Sequence, residues 1–142
     1  MGRAPGPPYS PGVATILVVE DDDDTADLLV QALRKSGYGV LRAPNGREAV
    51  DALILGGVDL LITDLRMPQM DGVTLLTVLR SYLRFQSLPV IVFSAYAEGR
   101  NAEWLTGLTV SDVFHKGSAG PAEILQAVGR HLGSASRADC GN

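Results

Sequence analysis

The sequence predicts an α/β fold: a doubly wound, mainly parallel sheet with helices on both faces. Three observations predict it. Short apolar runs, several of them β-branched, alternate five times with segments of helical period. The connections are short and carry turn formers such as Pro44-Asn45-Gly46 and Gly56-Gly57. Acids, a serine and a lysine stand at or just beyond the points where apolar runs stop. Alternation of this kind needs crossover connections, and their right-handedness leaves few topologies.

The first strand is Thr15-Ile16-Leu17-Val18-Val19, which ends in Glu20-Asp21-Asp22-Asp23-Asp24. Thr25 to Lys35 follows as a helix with Leu29, Ala32 and Leu33 on one face. Acids at its start and Lys35 at its end suit the helix dipole, and Gly37 stops it. Tyr38 to Ala43 is a short strand. Arg47 to Leu55 is a helix with Ala49, Val50, Leu53 and Ile54 as its apolar side. Val58 to Thr63 is an interior strand that delivers Asp64 where the run stops. A helix from about Val73 to Arg84 turns Leu75, Leu76, Leu79 and Leu83 inward. Pro89 to Phe93 is the fourth strand, ending at Ser94, and residues 97–106 form a weaker helix containing Trp104. Val110 to Phe114 is the fifth strand, followed by His115-Lys116-Gly117. Pro121 opens a last helix with Ile124, Leu125, Val128 and Leu132 as its stripe.

The 142 residues suit one domain. Residues 1–12 hold four prolines and three glycines and read as a disordered leader, 13–133 as the folded domain and 134–142 as a flexible tail. A net charge of -4 gives no footprint for direct nucleic-acid binding. No apolar run approaches the roughly 20 residues that span a bilayer, and the acidic excess argues against an anionic membrane surface, so no membrane partner is expected. The one cysteine, Cys140, allows no internal disulfide and suits a reducing cytoplasm.

In open parallel sheets, ligand chemistry sits beyond the carboxyl ends of the strands. The first strand brings Glu20 and Asp21 to that edge, the third Asp64, the fourth Ser94, and the fifth leads to Lys116. Each alone has a plainer reading, as a loop acid, turn former, helix cap or exposed lysine. Together, three converging carboxylates repel unless a cation joins them, and hard oxygen ligands select Mg2+ or Mn2+. A carboxylate beside such a metal, a lysine and a hydroxyl can attack phosphorus to give an aspartyl phosphate. His115 and His131 lack partners at metal-ligand spacing and read as structural or surface residues.

With ILVVEDD, LLITDLRMPQMDG, PVIVFSA and DVFHK, residues 14–133 resemble the receiver domain of two-component response regulators, the CheY-like superfamily. Ser94 follows Asp64 by thirty positions and Lys116 follows it by fifty-two, as that family's pattern requires. The resemblance implies a flavodoxin-like sheet ordered 2-1-3-4-5. It makes Asp64 the phosphoacceptor, charged by a sensor histidine kinase or a phosphotransfer protein. Asp21 would bind Mg2+ directly, Glu20 through water, and the Arg66 backbone carbonyl would complete the ligands. Lys116 would contact the phosphoryl group and Ser94 would swing toward it, switching a surface for an unknown downstream protein. Pairing through the family's fourth helix, fifth strand and fifth helix makes a homodimer one expected assembly. Such a switch phosphorylates and dephosphorylates itself but turns over no external substrate.

The sequence departs from the family in three places. Gly117 stands where the family usually has Pro, which loosens the loop or removes a cis peptide. Val113 stands at the position of the switch aromatic, and alternation puts Phe114 on the other face. Residues 95–109 match a regular fourth helix poorly. Arg66 and Tyr96 flank the route of attacking water, so their bulk is expected to slow self-dephosphorylation. Two other functions stay open: an unphosphorylated interaction module, and a phosphohydrolase of the haloacid dehalogenase type. The latter wants a second Asp where Arg66 stands, and a cap domain for which there is no room.

Overall fold

The computed structural model describes residues 12–66, 72–95 and 110–133. β1 (Thr15–Val19) is apolar and β-branched enough to be buried along its whole length. It lies mid-sheet between β2 (Gly39–Ala43) and β3 (Leu60–Thr63), with β4 (Val90–Ser94) and β5 (Asp112–His115) completing the order β2-β1-β3-β4-β5. Every pairing is parallel. The expected doubly wound sheet and its 2-1-3-4-5 order are both present.

Local chemistry sets the helix ends. The Asp22 carboxylate accepts from the Thr25 amide at 2.9 Å and from its hydroxyl at 2.6 Å, which opens α1 (Asp23–Lys35). Asn45 caps α2 (Gly46–Leu55) by accepting from the Glu48 amide at 2.9 Å. Gly56, at φ 90°, ends it in a region that disfavours side chains. α3 spans Gly72–Arg80. α4 (Pro121–Leu132) starts on Pro121, with the Gly120 amide donating to Glu123 Oε1 at 2.8 Å.

The period-2 alternation of the strands sorts the core into two layers. Leu17, Val19, Leu61, Val90 and Val92 face α2 and α3, meeting Leu53, Leu75, Leu76 and Leu79. Ile16, Val18, Leu60, Ile62 and Ile91 face α1 and α4, meeting Leu29, Leu33, Ile124 and Val128. Val113 packs against the first layer and Phe114 against the second, so the aromatic is on the opposite face, as alternation requires.

After α3 the chain departs from what its periodicity predicts. Leu83 was expected inward within a helix to Arg84, but it is 84% exposed. The helix stops at Arg80 and Tyr82 is extended (φ -100°, ψ 129°), so a short 3-10 turn, Leu83–Phe85, follows. The Arg80 guanidinium donates to the carbonyls of Phe85 (2.6 Å) and Gln86 (3.2 Å), and Phe85 takes the core place instead. Ile54, expected on the apolar side of α2, is half exposed. The third strand starts at Leu60 rather than Val58, because Asp59 is held by Thr15: its carboxylate accepts the Thr15 amide and its amide donates to the Thr15 carbonyl, both at 2.8 Å. The expected helix over 97–106, residues 1–11 of the leader and the tail 134–142 lie outside the described residues. Among the described residues, no helix is long and apolar enough to cross a membrane.

Candidate functional site

Register carries the site residues to one edge. Val19 is paired with both Ala43 and Thr63, so the chain leaves β1 and β3 side by side. The Asp64 amide donates to the Val19 carbonyl at 3.1 Å, and the Glu20 amide to the Ala43 carbonyl at 3.0 Å. On the other flank Ser94 is paired with His115, and the Lys116 amide donates to the Ser94 carbonyl at 3.1 Å. Glu20, Asp64, Ser94 and Lys116 therefore belong to one strip of backbone.

Lys116 Nζ lies 2.7 Å from Glu20 Oε1 and 2.8 Å from Asp64 Oδ2, and 5.8 Å from the centre of the Phe93 ring. The two carboxylates are buried, at 2% and 6% exposure, whereas Asp21 is open to solvent. Asp64 Oδ1 accepts from the Leu65 amide at 2.6 Å, with the Arg66 amide at 3.5 Å, a length at which little hydrogen-bond energy remains. Glu20 Oε2 accepts from the Asp22 amide at 3.1 Å. Ser94 is fully buried at the end of β4.

Burial pushes the Glu20 carboxyl above its usual range, and its bonds to Lys116 and the Asp22 amide offset this only in part. Burial acts on Lys116 in the opposite sense, but Asp64 and Glu20 outweigh it and raise its pKa. The ammonium is therefore held charged between two carboxylates. One oxygen each of Glu20, Asp21 and Asp64 fall within 4.8 Å of one another. Lys116 offers one positive charge to these three acids. The remaining negative charge and the all-oxygen donor set fit a hard divalent cation.

The structure brings together Glu20, Asp21, Asp64 and Lys116, and it places Ser94 one backbone bond from Lys116. Arg66 is exposed at the edge of the described stretch. Tyr96, its expected companion beside the water route, lies outside the described residues. Sequence reasoning missed Arg42. Its Nε and Nη2 donate to the Glu20 carbonyl at 3.2 and 2.7 Å, and its Nη1 meets Asp23 at 2.9 Å, which fixes the turn that presents Glu20. Only its neighbouring strand position could have pointed to it. His115, read as structural or surface, accepts the Gly117 amide at Nδ1, 3.0 Å away.

A family model described as the response regulator receiver domain matches residues 16–129. An uncharacterised 14.6 kDa protein of Leptolyngbya boryana is 39% identical over 115 residues, covering 80% of this chain and 86% of that one. Sensor kinase CckA of Brucella abortus is 44% identical over 89 residues, which are 61% of this chain but 9% of the kinase. The receiver domain of a Pseudomonas aeruginosa sensor histidine kinase, with a magnesium ion coordinated in its active-site cleft, superposes with a TM-score of 0.77. It is 26% identical, and the match covers 86% of this chain and 99% of that one. With the sheet order and the acidic edge already in place, the match over residues 16–129 is decisive: this chain belongs to the response regulator receiver domain family.

Proposed function

We propose that this chain is a phosphorylation-dependent signalling receiver whose acceptor is Asp64. The observation that carries the reading is the position of Lys116 Nζ, within 2.8 Å of both Asp64 and Glu20. A carboxylate oxygen of Asp64 attacks the phosphorus of a phosphohistidine on a sensor kinase or phosphotransfer protein. The new O–P bond forms as the N–P bond breaks, and the electron pair leaves with the imidazole. Lys116 meets the charge on the transferring oxygens. Water later attacks the same phosphorus, releasing phosphate and restoring Asp64, so no external substrate is consumed.

Glu20, Asp21, Asp64 and the Arg66 backbone carbonyl would hold Mg2+ or Mn2+. When bound, the metal neutralises phosphoryl oxygens and offsets the repulsion among the acids. Ser94, buried beside the Lys116 turn, is the hydroxyl that senses the phosphoryl group. Residues 13–133 form the receiver unit, acting in the cytoplasm on a downstream protein rather than on nucleic acid. The match to part of one sensor kinase and to nearly all of another kinase's receiver domain supports the receiver unit.

Radiolabelled acetyl phosphate tests the chemistry. With Mg2+ present, label should remain on the chain through acid and be lost to hydroxylamine, as an acyl phosphate. Label stable to hydroxylamine, or none, contradicts the reading.

A further inference from the structure

The turn carrying Lys116 is braced by its own neighbour. The His115 carbonyl accepts from the amides of Ser118 (3.0 Å) and Ala119 (2.9 Å). The ring folds over the same turn, and its Nδ1 accepts the Gly117 amide at 3.0 Å. A Cβ built on Gly117 would lie 2.9 Å from His115 Cε1 and 3.0 Å from Nδ1. Carbon atoms do not approach so closely without one of them moving. Gly117 shows no positive φ, so its backbone conformation would admit other residues. The crowding comes from the ring above it, which would have to turn aside to admit a side chain. A proline here would meet the ring as well and would have no N–H to give.

We infer that His115 is a positioning residue for Lys116: its ring nitrogen and the bare Cα of Gly117 form a clasp that aims the ammonium at Asp64. The inference rests on the reading of Asp64 as a phosphoacceptor and adds to it a residue the acidic motif does not contain. Three observations bear on it jointly. The clasp encloses residue 116 in sequence, since its two halves are residues 115 and 117. The Lys116 main chain is fixed on the other side by the Ser94 carbonyl at 3.1 Å. The side chain then spans to two buried carboxylates, where small errors of placement matter. Accepting at Nδ1 requires the neutral ring with its proton on Nε2.

Two substitutions separate the bond from bulk. His115→Asn keeps an acceptor oxygen close to where Nδ1 lies. His115→Leu keeps comparable volume without an acceptor. With acetyl phosphate and Mg2+, the His115→Asn protein should take up the phosphoryl group within about threefold of the parent, while His115→Leu should be at least about tenfold slower. Mg2+ affinity supplies a readout that general loss of structure would move the other way. A displaced ammonium leaves the acids more negative, so His115→Leu should bind Mg2+ as tightly as the parent or tighter. The Gly117 amide should exchange with solvent slowly in the parent and in His115→Asn, and fast in His115→Leu.

Equal uptake rates for parent and His115→Leu overturn the inference and leave the proposed function standing. Slow uptake with weakened Mg2+ binding also overturns it, because the variant then acts through damage to the site. If the parent takes up no phosphoryl group, the proposed function fails. Gly117 exchange then judges the clasp, and equal exchange rates in all three proteins overturn it.

Discussion

Lys116 Nζ lies 2.8 Å from Asp64 Oδ2, although fifty-two positions separate them in the chain. The same nitrogen meets Glu20 Oε1 at 2.7 Å, so one ammonium is shared by two buried acids. That ammonium competes with any cation for the acids, yet under the proposed function it would supply the charge that a transferring phosphoryl group needs. Lys116→Met is therefore predicted to slow phosphoryl uptake by on the order of a hundredfold. Mg2+ affinity, measured by calorimetry, should hold or rise in the same variant. A parallel fall in both would mean that Lys116 only holds the fold together.

Under the proposed function, Glu20 would trade stability for metal binding. Burial raises its pKa more than Lys116 and the Asp22 amide lower it. A carboxyl with a raised folded pKa binds its proton more tightly folded than unfolded. Its contribution to stability is fully present below the usual carboxylate range and is lost as pH rises through the raised value. Without metal, Glu20→Gln should melt above the parent at neutral pH, and the gap should close near about pH 4, where the parent is protonated too. Mg2+ should reverse the order, because a ligand at about 100 times its Kd adds about 2.7 kcal/mol to the form that binds it. A parent that melts above the variant in metal-free buffer at neutral pH contradicts this account.

Thr15 carries an avoidable cost. It is fully buried on β1, and its Oγ1 has no hydrogen-bond partner among the described residues. Its main chain is already satisfied by Asp59. Thr15→Val removes the hydroxyl at nearly constant volume and should stabilise the chain by about 1 kcal/mol in urea denaturation. Destabilisation would show that the hydroxyl is paired.

The end of α3 gives a contrast between two leucines. Leu79 is 2% exposed within the layer facing α2, whereas Leu83 is 84% exposed on the 3-10 turn. Leu79→Ala should cost about 2–5 kcal/mol, and Leu83→Ala should stay within about 0.5 kcal/mol of the parent. Similar losses for both would restore the longer helix suggested by periodicity.

That contrast shows what periodicity can and cannot reveal. The residues around Leu75, Leu76 and Leu79 repeat at helical spacing and pack as expected, because one face meets the sheet throughout. Leu83 continues the same spacing, but Arg80 folds its guanidinium onto the carbonyls of Phe85 and Gln86, a local side-chain capping that hydrophobic spacing does not show. The placement of the candidate residues was legible for a different reason. In a parallel sheet, strand ends are also the chemical edge, so the places where Val19, Thr63 and Phe93 close their apolar runs point to Glu20, Asp64 and Ser94. Arg42 was not legible, since it reaches the Glu20 carbonyl, which only the folded chain brings near; His115 reaches an amide two residues on, but a ring turned back over its own turn leaves no mark in spacing or composition.

Intact mass after incubation with acetyl phosphate, with and without Mg2+, tests the central claim most directly. The account predicts a gain of one phosphoryl group in the parent with Mg2+, and none without metal or in Asp64→Asn. A folded parent that gains nothing while Mg2+ is bound, or an Asp64→Asn protein that gains as much as the parent, would contradict it.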